Sequence, residues 1–250
     1  MINRAAECLE DVQMEIIEKD ERSAGGNMDG AALLGKRILI MTAVEAERAA
    51  VLRGLAGATG FDVELAGVGP ISAAARTAAF LAASSGEYSL VISAGIGGGI
   101  DPRAEIGSVV VASEVRSADL GVETAEGFRT LDQMNFGSNL LHPDQRIAAL
   151  LEERLRSARI AVMTGPVLTV STATGTVDTA ASRSALVPNA AVEAMEGYGV
   201  AFAAQEAGIP FAEIRSISNR VGPRDLSAWR MKEAFSALEA ASSVLREVFS

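Results

Sequence analysis

The chain has 250 residues, of which 49% are hydrophobic and only 4% aromatic, and its formal net charge is −10. That apolar share is ample for a core, and its Ala, Val, Ile and Gly suit helices packed on a parallel sheet better than an aromatic-rich binding surface. The acidic balance excludes a nucleic-acid partner, because no basic surplus exists to displace counterions from a phosphate backbone, and a small metabolite is the expected ligand.

In chain order, residues 1–35 hold a weakly helical charged stretch and then Ser23-Ala-Gly-Gly-Asn-Met-Asp-Gly30, without a periodic apolar face. This segment reads as a flexible extension, with Met28 a plausible start of its own. Acidic residues from Glu7 to Glu21 interrupt any export-signal core, and no run of about 18 apolar residues appears anywhere. A cytoplasmic protein without a membrane partner is expected. Cys8 is the only cysteine, which rules out an intrachain disulfide and a Cys/His zinc site. Neither metal nor cofactor is expected.

From residue 36 onward the pattern is that of a single domain, 36–250. The spacing predicts a strand over Arg37 to Met41 and a helix over Val44 to Leu55. A strand near Phe61 to Gly67, a helix Ile71 to Ala83 and strands Ser89 to Ala94 and Ser108 to Ser113 follow. Next come a helix Asp144 to Arg156, strands Val162 to Val170 and Ala190 to Ala194, a helix Gly197 to Ala207, a strand Phe211 to Ile217 and a helix Ala228 to Val248. Short apolar strands alternating with helices predict an α/β fold: one domain with a central, mostly parallel mixed sheet flanked by helices. Ligands of such sheets bind at the carboxyl ends of the strands.

Four segments follow predicted strands and carry chemistry. Glu47, in Ala43-Val-Glu-Ala-Glu47, shares the inward stripe of its helix with Val44 and Val51. It is read either as a general base toward water or as a helix-margin residue that snorkels or pairs with a nearby Arg. Ser93-Ala-Gly-Ile-Gly-Gly-Gly99 lacks the Walker lysine and the dinucleotide spacing. Gly95, Ile96 and Gly97 there fit either close backbone approach to a ribose or anion, or a tight turn needing positive φ. Met195-Glu196-Gly197 puts a carboxylate where it can accept from two vicinal hydroxyls with Met195 against the sugar, or interact with the helix amino terminus. Asn219, in Arg215-Ser-Ile-Ser-Asn219, offers a donor and an acceptor together, or is a turn residue with Asp225 or Ser227 capping the next helix. His142 is the sole histidine and reads as a helix-entry residue, so Ser-His and Cys-His catalysis lack material.

In this order, the segments resemble the nucleoside phosphorylase and nucleosidase superfamily over roughly residues 36–249. Ile209 to Arg230, Val192 to Gly197 and Thr169 to Thr176 resemble the futalosine hydrolases within it. The resemblance implies hydrolysis of an N-glycosidic bond of a purine nucleoside, with Glu47 activating water, Met195 and Glu196 holding the ribose hydroxyls, and Thr172, Ala173 and Thr174 at the substrate. The related methylthioadenosine nucleosidases carry an aspartate in the place of Asn219. An amide there suits a 6-oxopurine, donating to O6 and accepting from protonated N7. The futalosine side chain ends in a carboxylate, for which Arg220 and Arg224, with Arg129 as a third, are the candidate cations. The resemblance also implies a homo-oligomer in which a loop such as Gly121 to Gly137 completes a neighbouring site. A phosphorylase would need a cation near the glycine segment, where only Arg103 stands close in sequence. The same residues also admit a nucleosidase for inosine or aminofutalosine, or a nucleoside sensor without catalysis.

Overall fold

The computed structural model describes residues 37–84 and 86–249. The expected extension 1–35, with Cys8 in it, lies outside the described residues.

The chain opens with β1 (Arg37–Thr42), α1 (Glu45–Leu55), β2 (Phe61–Leu65), α2 (Pro70–Ala83), β3 (Tyr88–Gly99) and β4 (Val109–Ser117). A hairpin of β5 (Gly121–Thr124) and β6 (Gly127–Thr130), the short α3 (Leu131–Met134) and β7 (Leu140–Leu141) lead to α4 (Gln145–Ser157). The remainder is β8 (Val162–Thr169), α5 (Val177–Leu186), β9 (Val192–Ala194), α6 (Gly197–Glu206), β10 (Phe211–Arg220), a 3-10 turn at Leu226–Ala228 and α7 (Met231–Phe249).

Strand pairing β1–β2, β1–β3, β3–β10, β4–β8 and β8–β9 is parallel, whereas β4–β10, β3–β9 and β4–β7 are antiparallel. The mixed, mostly parallel sheet is therefore present, with one feature beyond the expectation. Because β10 pairs with both β4 and β3, the strands β3, β10, β4, β8 and β9 close into a ring, from which β1 and β2 extend.

Period-2 alternation sorts most strand side chains into two cores, while Leu168 of β8 joins Ile100, Val170 and Ala190 in a third, smaller cluster. Ile38, Ile40, Leu90, Ile92, Val109 and Val111 face Val51 and Leu55 of α1, Leu151 of α4 and Leu238 and Leu245 of α7. Leu39, Met41, Val91, Val110, Phe211 and Ile217 face Ala73 and Leu81 of α2 and Val200 and Ala204 of α6. At about 25 cal/mol per Å² of apolar area removed from water, these two layers dominate the stabilisation of the sheet.

The structure corrects the expectation of a glycine loop after Ala94. β3 runs on through Gly99, paired with β10 in the register Gly95 to Arg215, Gly97 to Ile217 and Gly98 to Asn219. None of Gly95, Gly97, Gly98 and Gly99 takes positive φ. Close approach of neighbours, not a turn, is what these positions demand. The strand Phe211 to Ile217 likewise extends to Arg220, which places Asn219 in the strand rather than in a turn. Among the described residues no helix is long and apolar enough to cross a membrane.

Candidate active site

At the carboxyl end of β1 the chain turns through Ala43 and Val44 into α1, with Glu47 at the third helical position. Its Oε2 accepts from the amides of Ala43 (2.8 Å) and Val44 (3.2 Å), which makes it the acidic half of a capping box. Its Oε1 crosses to β3 and accepts from the Ile96 amide at 2.8 Å. Glu47 is thus not a snorkelling helix-margin residue: only 3% of it is exposed. Burial pushes its carboxyl above the ordinary range, against the pull of the Arg215 guanidinium and the Ile96 amide, and the nearby Glu196 carboxylate adds to the rise.

Gly95 sits where Glu47 and Arg215 meet. A Cβ on it would lie 2.6 Å from Glu47 Oε1 and 2.6 Å from Arg215 Nη1, so only glycine fits. Arg215 is a cation beside the glycine segment that is distant in sequence, and it corrects the view that Arg103 alone stands close. The β3–β10 register brings it there, opposite Gly95. It is 1% exposed and donates through Nε to Glu213 (2.8 Å) and through Nη2 to Ser93 Oγ (2.8 Å), while Nη1 faces Glu196 Oε2 at 3.4 Å. Burial would strip its proton, but the carboxylates of Glu213, Glu196 and Glu47 together outweigh burial, so the guanidinium stays charged.

Met195 and Glu196 stand at the junction of β9 and α6. Glu196 occupies the N-cap position without a side-chain capping bond. Its Oε1 accepts from the Gly69 amide at 3.2 Å and its Oε2 from the Met195 amide at 3.3 Å. These contacts are long, which leaves acceptor capacity for hydroxyl donors. Asn219, three strand residues from Gly95 by register, is about 10 Å further along β3. Its Oδ1 accepts from Ser218 Oγ (2.8 Å) and its Nδ2 donates to Arg220 O (2.9 Å). One N–H and one lone pair of the amide remain for a ligand.

The segment after β8 is clipped at both ends. Glu193 accepts from the Thr174 amide at 2.7 Å and from Arg183 at 2.6 Å, Arg183 donates to Thr172 O at 2.8 Å, and Asp119 accepts from Ser171 N at 2.7 Å. Thr172 and Ala173 remain exposed while Thr174 is buried. Among the cations expected to meet a carboxylate, Arg220 is ion-paired with Asp101, both exposed. Arg224 is exposed and lies over the Trp229 ring, 5.5 Å from its centroid. Arg129 is exposed on the β5–β6 hairpin, and His142 is exposed just before α4. Asp225 caps the 3-10 turn through Ser227 N at 2.9 Å. Among the described residues no cluster of three or more His, Cys, Asp or Glu could hold a metal ion.

Sequence reasoning assigns no role to Arg215, Glu213, Ser93 or Gly69. Glu213 and Arg215 alternate with Ala212 and Ile214 on β10 and share their side with Phe211 and Ile217. Two charged residues at inward positions of a strand are the signal that could have found them.

Residues 37–250 match the family model described as the phosphorylase superfamily. The chain belongs to that superfamily. Within the superfamily it is 44% identical over 229 residues to a futalosine hydrolase of Streptomyces coelicolor, a match covering 84% of this chain and 95% of the relative. A futalosine hydrolase of Acidothermus cellulolyticus is also 44% identical, over 223 residues, covering 81% of this chain and 90% of the relative. Among solved structures, the native futalosine hydrolase of Helicobacter pylori superposes with a TM-score of 0.73 at 19% identity, covering 86% of this chain and 99% of that one. The α/β architecture is thus that of the superfamily.

Proposed function

We propose that this superfamily member hydrolyses the N-glycosidic bond of futalosine, releasing hypoxanthine and dehypoxanthine futalosine, a step of menaquinone biosynthesis in the cytoplasm. The observation that carries the reading is the 44% identity to a futalosine hydrolase over 84% of the chain. The geometry supports it with one carboxylate in reach of Gly95 and an amide at Gly98 on the same strand.

Breaking the C1′–N9 bond builds positive charge on the sugar and negative charge on the purine. In this reading Glu47 takes a proton from water as its oxygen attacks C1′. A carboxyl lifted toward neutral pH is a better match to that task than an ordinary one. Glu196 accepts from the ribose hydroxyls, with Met195 against the sugar. Gly95, Ile96 and Gly97 supply bare strand backbone beside the sugar, and Thr172, Ala173 and Thr174 are assigned to the substrate as well. Asn219 donates to O6 and accepts from N7–H, stabilising the departing base, which takes its proton from water. For the substrate carboxylate Arg224 is the stronger candidate, because Asp101 already neutralises Arg220.

A phosphorylase would place phosphate beside Gly95. Three carboxylates, Glu47, Glu196 and Glu213, face the single guanidinium of Arg215 there, and that field repels an anionic nucleophile. We further propose a homo-oligomer: Val68 (58% exposed), Ile71 (84%), Phe128 (42%) and Phe136 (36%) are unusually open for apolar side chains, and Gly69 between the first two donates to Glu196. Incubating the purified protein in phosphate-free buffer with futalosine, aminofutalosine, methylthioadenosine and inosine tests the assignment. Release of hypoxanthine from futalosine, faster than base release from the other three, is expected; preference for a 6-aminopurine nucleoside would overturn it.

A further inference from the structure

Beyond its share in the field around Arg215, Glu213 has no part in the chemistry described above, and its surroundings are costly. It is 1% exposed, Oε1 accepts from Arg215 Nε at 2.8 Å, and Oε2 has no hydrogen-bond partner. Replacing a whole buried ion pair by apolar side chains is often neutral or stabilising, whereas an apolar residue at 213 alone would leave the buried Arg215 without its nearest carboxylate. α6 also begins with a glycine at the point of contact: a Cβ on Gly197 would lie 2.2 Å from each Glu213 oxygen. The residue following Glu196 is therefore shaped around this carboxylate.

The pairing also has a direction. A guanidinium presents five N–H donors in a rigid fork. Gripping Arg215 by its Nε edge turns the two Nη atoms outward, Nη2 onto Ser93 Oγ at 2.8 Å and Nη1 toward Glu196 Oε2 at 3.4 Å and the Gly95 face that Glu47 shares. The charged groups facing Arg215 are Glu47 from α1, Glu196 from the β9–α6 junction and Glu213 from β10 itself. Ser93 of β3 is the neutral anchor.

We propose that Glu213 is a positioning residue, holding Arg215 by one edge so that its other edge orients Glu196 and sets the charge felt by Glu47. It acts through Arg215 and touches neither sugar nor base. The inference rests on the reading of Glu47 as the base and Glu196 as the ribose anchor. The rise in the Glu213 carboxyl, caused first by burial and opposed by Arg215, agrees with a group kept where it is not comfortable.

The test compares Glu213→Gln, Glu213→Leu, Ser93→Ala and Glu47→Gln with the wild-type protein. Each is measured for kcat and KM on futalosine across pH and for hypoxanthine binding by calorimetry. Glu213→Gln keeps an acceptor for Nε but removes a negative charge. It is expected to move the acid limb of kcat/KM to lower pH with a modest loss of kcat. Glu213→Leu removes the grip and is expected to cut kcat/KM by about 10- to 100-fold. Hypoxanthine affinity should hold in both, since Asn219 is untouched. Ser93→Ala frees Nη2 without changing charge, and is expected to lower kcat/KM while leaving the acid limb in place. If the position-213 variants fail to fold, Ser93→Ala decides alone: wild-type kinetics there would overturn the proposal. Glu213→Leu with wild-type kinetics and pH profile would overturn it as well. Full activity in Glu47→Gln would instead mean that the base assignment has failed. An inactive Glu47→Gln beside wild-type-like Glu213 variants would mean that only the positioning role has failed.

Discussion

The Asn219 amide enters binding half used, its Nδ2 given to Arg220 O and its Oδ1 taken by Ser218 Oγ. Its remaining donor and acceptor match O6 and N7–H of a 6-oxopurine, whereas a 6-amino group needs an acceptor where the amide presents N–H. Replacing Asn219 by Asp is therefore expected to shift the ratio of kcat/KM for aminofutalosine over futalosine upward by about 100-fold, read from initial rates on the two substrates. At the other end of the site, Glu47→Gln is expected to lower kcat by about 10²- to 10⁴-fold with KM little changed. Burial raises the Glu47 carboxyl above its ordinary value of 4.5, and the ionised form is the base. Activity should therefore fall as pH drops through a midpoint above that value, and a rate profile flat through the acid range would remove Glu47 from the role. Position 47 is legible as an inward carboxylate from its spacing to Val51, although Val44, read on the same stripe, is the exposed N-cap of α1, and 219 is legible as a polar residue near a strand end. Arg215 is not, because its proximity to Gly95 comes from a parallel pairing of strands more than 100 residues apart in the chain.

At the level of elements, the expected strands and helices with one buried face are all present, because a periodic apolar stripe is what marks them. α5 has no buried residue and so no stripe to read, and the two-residue β7 is too short for a period. The β5–β6 hairpin has no buried residue in either four-residue strand, and so no apolar face to read. Capping moves two helix starts. Asp144 precedes α4 as its N-cap, accepting from Arg146 N at 3.0 Å and Ile147 N at 3.1 Å, and the Asp225-capped 3-10 turn delays α7 to Met231. Asp144→Ala should cost about 1 kcal/mol by removing those acceptors. Calorimetric unfolding would show a lower midpoint with kcat unaltered, while an unchanged midpoint would deny the cap its share. The glycine segment imitates a loop for a related reason: a run of glycines resembles a turn, and only the crowding of Arg215, Val192 and Ala104 against it shows a strand.

On the scale of the whole molecule, β1 beside the closed ring of β3, β10, β4, β8 and β9 brings Glu47 of α1 against Gly95, Arg215 and Glu196, with Asn219 three register positions further along β10, although the four are scattered along the chain. Val68 and Ile71 flank Gly69, whose amide meets Glu196. An oligomer covering them would link assembly to catalysis. Sedimentation velocity is expected to show a species above 25.9 kDa, and Ile71→Glu should shift it toward the monomer with lower activity; a wild-type monomer would refute the assembly. The most direct measurement of the central claim uses futalosine in phosphate-free water enriched in oxygen-18, with the products read by mass spectrometry. One heavy oxygen in dehypoxanthine futalosine and none in hypoxanthine is expected, since water attacks the sugar carbon. Absence of cleavage, or cleavage only when phosphate is added, would contradict it.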